Sequence, residues 1–224
     1  MESRNDAMAV NSAIATTAAN QLMAPRQVLL FSGHRVDAPG RAQPRFPAAM
    51  VPQAAAAIAH ALDTLDAGVG DIALAQGAAG GDLLFAEACA VRGVRVQLLL
   101  PLPEAEFIEQ SVHGSDGDEN WPARYVDLRA RLHDAPRVMP DELGPLPAHG
   151  NAFERCNLWL LDSALAYGSD KLRFICLWDG DGGDGDGDGP GGTAHMYREV
   201  KRRTERVTWV DTRCLGAQTG APMN

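Results

Sequence analysis

Gln27-Val28-Leu29-Leu30-Phe31-Ser32-Gly33-His34-Arg35 begins as a short, unbroken apolar run and gives way at once to small and polar residues. That pattern predicts a strand buried on both faces, feeding a polar loop. A Pro/Gly/Arg-rich stretch continues to Pro47, after which residues 48 to 66 carry alanines, Ile58, Leu62 and Leu65 at helical spacing. Gly68 and Gly70 close that segment as helix ends commonly close. The unit then repeats. Asp71-Ile72-Ala73-Leu74-Ala75 reads as a strand, Gly77 to Gly81 as a tight loop, Asp82 to Arg92 as a helix stopped by Gly93, and Val94 to Leu100 as a third strand ended by Pro101 and Pro103. Strand and helix alternating with short loops predict right-handed βαβ crossovers, hence an α/β protein with a mainly parallel sheet and helices on both faces.

Beyond the third strand the signal weakens. Short helices are expected around Glu104 to Ser111 and Trp121 to His133, separated by the polar run Gly114 to Asn120, so 104–149 reads as a peripheral helical insertion. Phe153, Cys156, Leu160, Leu161 and Leu165 then form a helical stripe. Leu172 to Trp178 reads as a buried strand, Ala194 to Thr204 as a helix and Val207 to Val210 as a last strand. The domain is expected to span 25–211. It is flanked by a loose N-terminal tail over 1–24 and a C-terminal tail over 212–224 that shows no core pattern.

Composition narrows the function. With 224 residues, 46% of them apolar, one domain of ordinary size is the default. The 20 Lys+Arg against 29 Asp+Glu give a net charge of −9, which disfavours broad contact with duplex nucleic acid or an anionic membrane but permits a local basic pocket. Nothing approaches the ~20 consecutive apolar residues of a membrane span, and the N-terminal segment is too broken by polar residues to be a signal peptide. The cysteines Cys89, Cys156, Cys176 and Cys214 form no C-x-x-C pair, the pattern expected of reduced thiols in a cytoplasmic protein.

In an open α/β sheet, ligands bind outside the carboxyl ends of the strands. Three glycine-rich stretches fall there: Ser32-Gly33-His34-Arg35, Gly77-Ala78-Ala79-Gly80-Gly81-Asp82, and Pro190-Gly191-Gly192-Thr193. Glycine lets a backbone approach a ligand closely, and the amides of a helix N-terminus are unpaired donors suited to phosphate. Arg35, Arg41 and Arg45 surround the loop after the first strand, where guanidinium groups grip phosphate bidentately or serve as ordinary surface charge. His34 is a candidate to stack on a base or bond a ribose. The remaining histidines have no metal-ligand spacing, and no metal or cofactor is required. The Asp/Gly run over 179–190 invites a calcium reading, but a twelve-residue loop from Asp184 ends on His195 where a bidentate glutamate is needed. A low-complexity loop is the simpler reading.

These three stretches, in this order and with Glu87 after the second, resemble the SLOG superfamily, which includes the DprA proteins and the Lonely-guy phosphoribohydrolases. The similarity covers about residues 27 to 210, interrupted over 104–149. It implies a three-layer Rossmann-like fold binding a nucleotide or nucleotide-derived ligand at the strand ends, and it allows a homodimer. The ligand-binding set it implies is Ser32, Gly33, His34, Arg35, Arg45, Gly77, Gly80, Gly81, Asp82, Asp179, Gly191, Gly192 and Thr193. Some members hydrolyse the N-glycosidic bond of a nucleoside 5′-monophosphate with an arginine and a glutamate, and Arg155 stands where that arginine is expected. The family's glutamate lies three residues beyond the threonine, where this chain has Met196. Asp82 and Glu87 are the substitute catalytic carboxylates, with Glu154 and Asp179 as further candidates. The departure at Met196 favours a sensor or ligand-binding protein over a phosphoribohydrolase-like hydrolase. An interaction module without ligand is the remaining alternative.

Overall fold

The computed structural model describes residues 24–114, 120–181 and 191–215. Most of the expected N-terminal tail, the bulk of the Asp/Gly-rich loop with Pro190, and residues 216–224 lie outside them. Six strands form one all-parallel sheet: β1 (Val28–Gly33), β2 (Ile72–Ala75), β3 (Arg95–Leu100), β4 (Arg137–Val138), β5 (Leu172–Trp178) and β6 (Val207–Asp211). Their spatial order is β4-β3-β2-β1-β5-β6. The chain therefore winds outward from β1 to one edge, returns across the sheet and adds β5 on the other side. That reversal opens a crevice between the carboxyl ends of β1 and β5, which are in register from Val28↔Leu172 to Gly33↔Leu177.

The period-two geometry of a strand divides its apolar residues between two cores. Leu29, Phe31, Ala73, Val96, Leu98, Ile175 and Leu177 face one cluster, packed under α1 (Val51–Thr64), α2 (Gly81–Val91) and α4 (Trp121–Arg131). Val28, Leu30, Ile72, Leu74, Leu99, Phe174 and Cys176 face the other, under α6 (Ala152–Leu165) and α7 (Thr193–Lys201). The result is the three-layer α/β architecture. No helix among the described residues is long and apolar enough to cross a membrane.

Two expectations need correction. Residues 104–149 are not simply peripheral: after the short α3 (Glu104–Phe107) and a wide π turn over Ile108–Val112, the buried Phe107, Val112, Trp121, Tyr125 and Leu128 join the first core. The same region supplies edge strand β4 and α5 (Met139–Leu143). The chain also does not turn structureless after Asp211, because α8 (Thr212–Leu215) follows directly with Thr212 buried and Leu215 packed on the core.

Candidate functional site

The crevice holds a cleft of about 460 Å³, within the roughly 300–1,000 Å³ usual for small-molecule sites. Ser32, Gly33, His34 and Arg35 enter from the end of β1, and Arg45 from the loop that follows. That loop is closed by the buried Asp37, whose Oδ2 accepts from the Arg45 and Phe46 N–H groups at 2.9 and 3.0 Å. A buried carboxylate thus fixes the backbone at Arg45. His34 is buried and cross-links the two sides of the switch point: its N–H donates to the Leu177 carbonyl at 2.9 Å, and its Nε2 accepts from the Asp179 N–H at 3.2 Å.

Asp82 enters from the first turn of α2. The loop before it must pass close against the first strand's loop, and Gly80 makes this possible. Its φ is +108°, and a Cβ there would sit 2.7 Å from the Val36 nitrogen and 2.9 Å from the His34 carbonyl oxygen. Asp82 then pins the loop, its Oδ2 accepting from the Gly77 and Ala78 N–H groups at 3.2 and 3.3 Å. Burial pushes its pKa up to about 6, against a pull in the other direction from backbone N–H groups at residues 33, 76, 77 and 78. These bonds occupy the carboxylate, so its chief role is to hold the loop in shape.

Gly191, Gly192 and Thr193 line the cleft and lead into α7, with Gly192 at its N-cap. Gly191 has φ +92°, and a Cβ there would lie 2.5 Å from Phe153 Cβ and 2.6 Å from the Glu154 nitrogen. Only glycine fits where this turn crosses the start of α6. The N-terminal end of α7, with its partial positive charge, therefore meets Arg35 and Arg45 around one cleft.

Of the residues expected at the site, Ser32, Gly33, His34, Arg35, Arg45, Asp82, Gly191, Gly192 and Thr193 are brought together. Gly77, Gly80 and Gly81 shape the loop behind Asp82, and Asp179 stands behind His34. Two expected catalytic residues are elsewhere. Arg155 donates to the carbonyls of Leu143, Gly144 and Pro145 at 2.6–3.1 Å, and Glu87 pairs with Arg124 at 2.5 Å. Met196 is buried in the second core, while Glu199, one turn further along α7, pairs with Arg203 at 2.9 Å. Helix α7 thus presents no carboxylate to the cleft. No group of three His, Cys, Asp or Glu among the described residues could hold a metal ion.

The chain matches no protein-family model and no curated protein.

Six lining residues were not anticipated: Gln76, Ala78, Gln110, Ser111, Phe153 and Asn157. Gln76 follows β2 directly, so its position at the sheet's carboxyl edge was itself a signal. Phe153 and Asn157 lie four apart on α6 and share a face. Gln110 and Ser111 had no signal in a segment read as peripheral. Arg35 secures that segment, donating to the Gln110 and His113 carbonyls at 2.9 and 3.2 Å.

Proposed function

We propose that this cleft binds a nucleotide or nucleotide-derived ligand and that the protein acts as a sensor or ligand-binding protein. The observation that carries the reading is the convergence of the glycine turn Gly191-Gly192-Thr193, at the start of α7, with Arg35 and Arg45 on one cleft at the topological switch point. Backbone amides and guanidinium groups of this kind match the charge and lone pairs of a phosphate. The half-buried Phe153 ring beside them offers an apolar surface to a base or sugar. Binding without hydrolysis is favoured because Arg155 and Glu87 lie off the cleft and the Asp82 carboxylate is taken up by its own loop.

The test is native mass spectrometry of the purified chain, followed by a thermal-shift screen of the four ribonucleoside 5′-monophosphates with free base monitored. A ligand at a hundredfold its Kd stabilises by about 2.7 kcal/mol, which is roughly 5–10 °C in Tm for a chain of this size. The expected result is such a shift with the nucleotide intact. Release of free base would assign turnover to the cleft and return Asp82 to the role of catalytic carboxylate. No shift with any nucleotide would refute the proposal.

A further inference from the structure

Behind the glycine turn lies a chain of carboxamides whose orientation is fixed by what they touch. The Gly191 carbonyl can only accept, so the Asn157 group 2.7 Å from it must be Nδ2. The same nitrogen lies 3.4 Å from His195 Nδ1. Asn157 Oδ1 therefore faces the other way and accepts from Gln76 Nε2 at 3.0 Å. Asn157 is buried, and with its amide turned this way the Gln76 amide cannot flip, because a flip would set two oxygens against each other. Gln76 is half-buried and lines the cleft, and its Oε1 accepts no hydrogen bond among the described residues. The protein thus presents a fixed acceptor to the cleft.

Its distance from the anion-binding turn selects what it meets. Gln76 and the Gly191 carbonyl are joined through the single side chain of Asn157, so the acceptor lies one short side chain from the turn proposed above to hold a phosphate. The part of a nucleotide at that reach from its 5′-phosphate is the ribose, and ribose carries donors in its 2′- and 3′-hydroxyls. A phosphate oxygen, by contrast, is repelled by a carboxamide oxygen. Resting on the proposed nucleotide reading, we infer that Gln76 Oε1 accepts a hydrogen bond from a ribose hydroxyl, making Gln76 a specificity-determining residue and the cleft selective for ribonucleotides over deoxyribonucleotides.

The experiment is isothermal titration of the full chain with AMP, 2′-deoxy-AMP, 3′-deoxy-AMP and purine riboside 5′-monophosphate, which lacks the 6-amino group, and with GMP and 2′-deoxy- and 3′-deoxy-GMP. Each is run on the wild type and on Gln76→Met, which keeps the length and removes the acceptor. One neutral hydrogen bond is worth about tenfold in affinity. The wild type is expected to bind one deoxy form of each nucleotide about tenfold more weakly. In Gln76→Met the ribonucleotide should fall to the affinity of that deoxy form, whose own affinity is unchanged. A merely structural role for Gln76 would weaken all ligands alike and overturn the inference. Equal wild-type affinity for ribo and deoxy forms, or discrimination that persists in Gln76→Met, also overturns it. A loss confined to purine riboside monophosphate would move the contact to the base amine and refute the ribose assignment. If Gln76→Met does not fold, the wild-type comparison decides alone. Absence of binding by any ribonucleotide defeats the nucleotide reading itself, whereas nucleotide binding without discrimination defeats only the role given to Gln76.

Discussion

Replacing Asp82 by Asn changes the pH dependence of stability in a direction the structure fixes. In the folded chain burial pushes the Asp82 pKa up to about 6 from an ordinary 3.8. Between those values the folded state binds a proton that the unfolded state has released, so stability falls as pH rises and levels off above the folded pKa. Applying the linkage relation to those two values gives about 1.3 kcal/mol more stability from this group at pH 5 than at pH 7, and about 3 kcal/mol in the acid limit. Asparagine cannot titrate, so the variant loses this contribution. Its absolute stability at one pH is less informative, since relief of the buried charge is offset by the loss of an acceptor for the loop's backbone N–H groups. The assay is urea unfolding of both proteins from pH 5 to 7. The wild type should gain about 1.3 kcal/mol relative to Asp82→Asn on acidification, or about 3–5 °C in Tm. Parallel profiles would refute the argument that Asp82 is desolvated in the cleft.

Gly191→Ala should destabilise by about 2–4 kcal/mol, since it adds a positive-φ penalty to a backbone clash with the start of α6, and should abolish the nucleotide-induced thermal shift. Calorimetry with and without AMP checks both effects. Asp37→Ala leaves the Arg45 and Phe46 N–H groups without their acceptor, at a cost of about 2–4 kcal/mol. Because Arg45 then loses its position, AMP affinity in titration calorimetry should fall as well. Arg155→Ala should leave AMP affinity unchanged, because its guanidinium is held by the carbonyls of residues 143–145. A tenfold loss in that titration would restore Arg155 to the site.

The sheet was legible because parallel strands buried on both faces read as continuous apolar runs, and β1, β2, β3, β5 and β6 lie within a residue or two of the expected positions. Strand β4 has only Arg137 and Val138 and pairs at Leu99 and Leu100, too short a stretch for any period. The core role of residues 104–131 was hidden because Phe107, Val112, Trp121, Tyr125 and Leu128 are spread among many charged and polar residues. At the site, loops at the strand ends were readable, whereas helix phase was not. Phe153 and Asn157 face the cleft from α6, and Arg155, two residues from each, must point away from that face. Glu87 lies five residues past Asp82, roughly 140° around α2, and meets Arg124 instead. The amide chain from Gln76 to Gly191 spans residues 34 and 81 apart in sequence, so only the fold brings it together.

The most direct test of the central claim is titration calorimetry of the full chain with the four ribonucleoside 5′-monophosphates, on the wild type and on Arg45→Ala. A guanidinium–phosphate contact is worth about 1.5–3 kcal/mol, or roughly 10- to 100-fold in affinity. Saturable one-to-one binding by the wild type and a loss of at least about tenfold in Arg45→Ala are expected. No saturable binding by the wild type, or equal affinity in the two proteins, would contradict that claim.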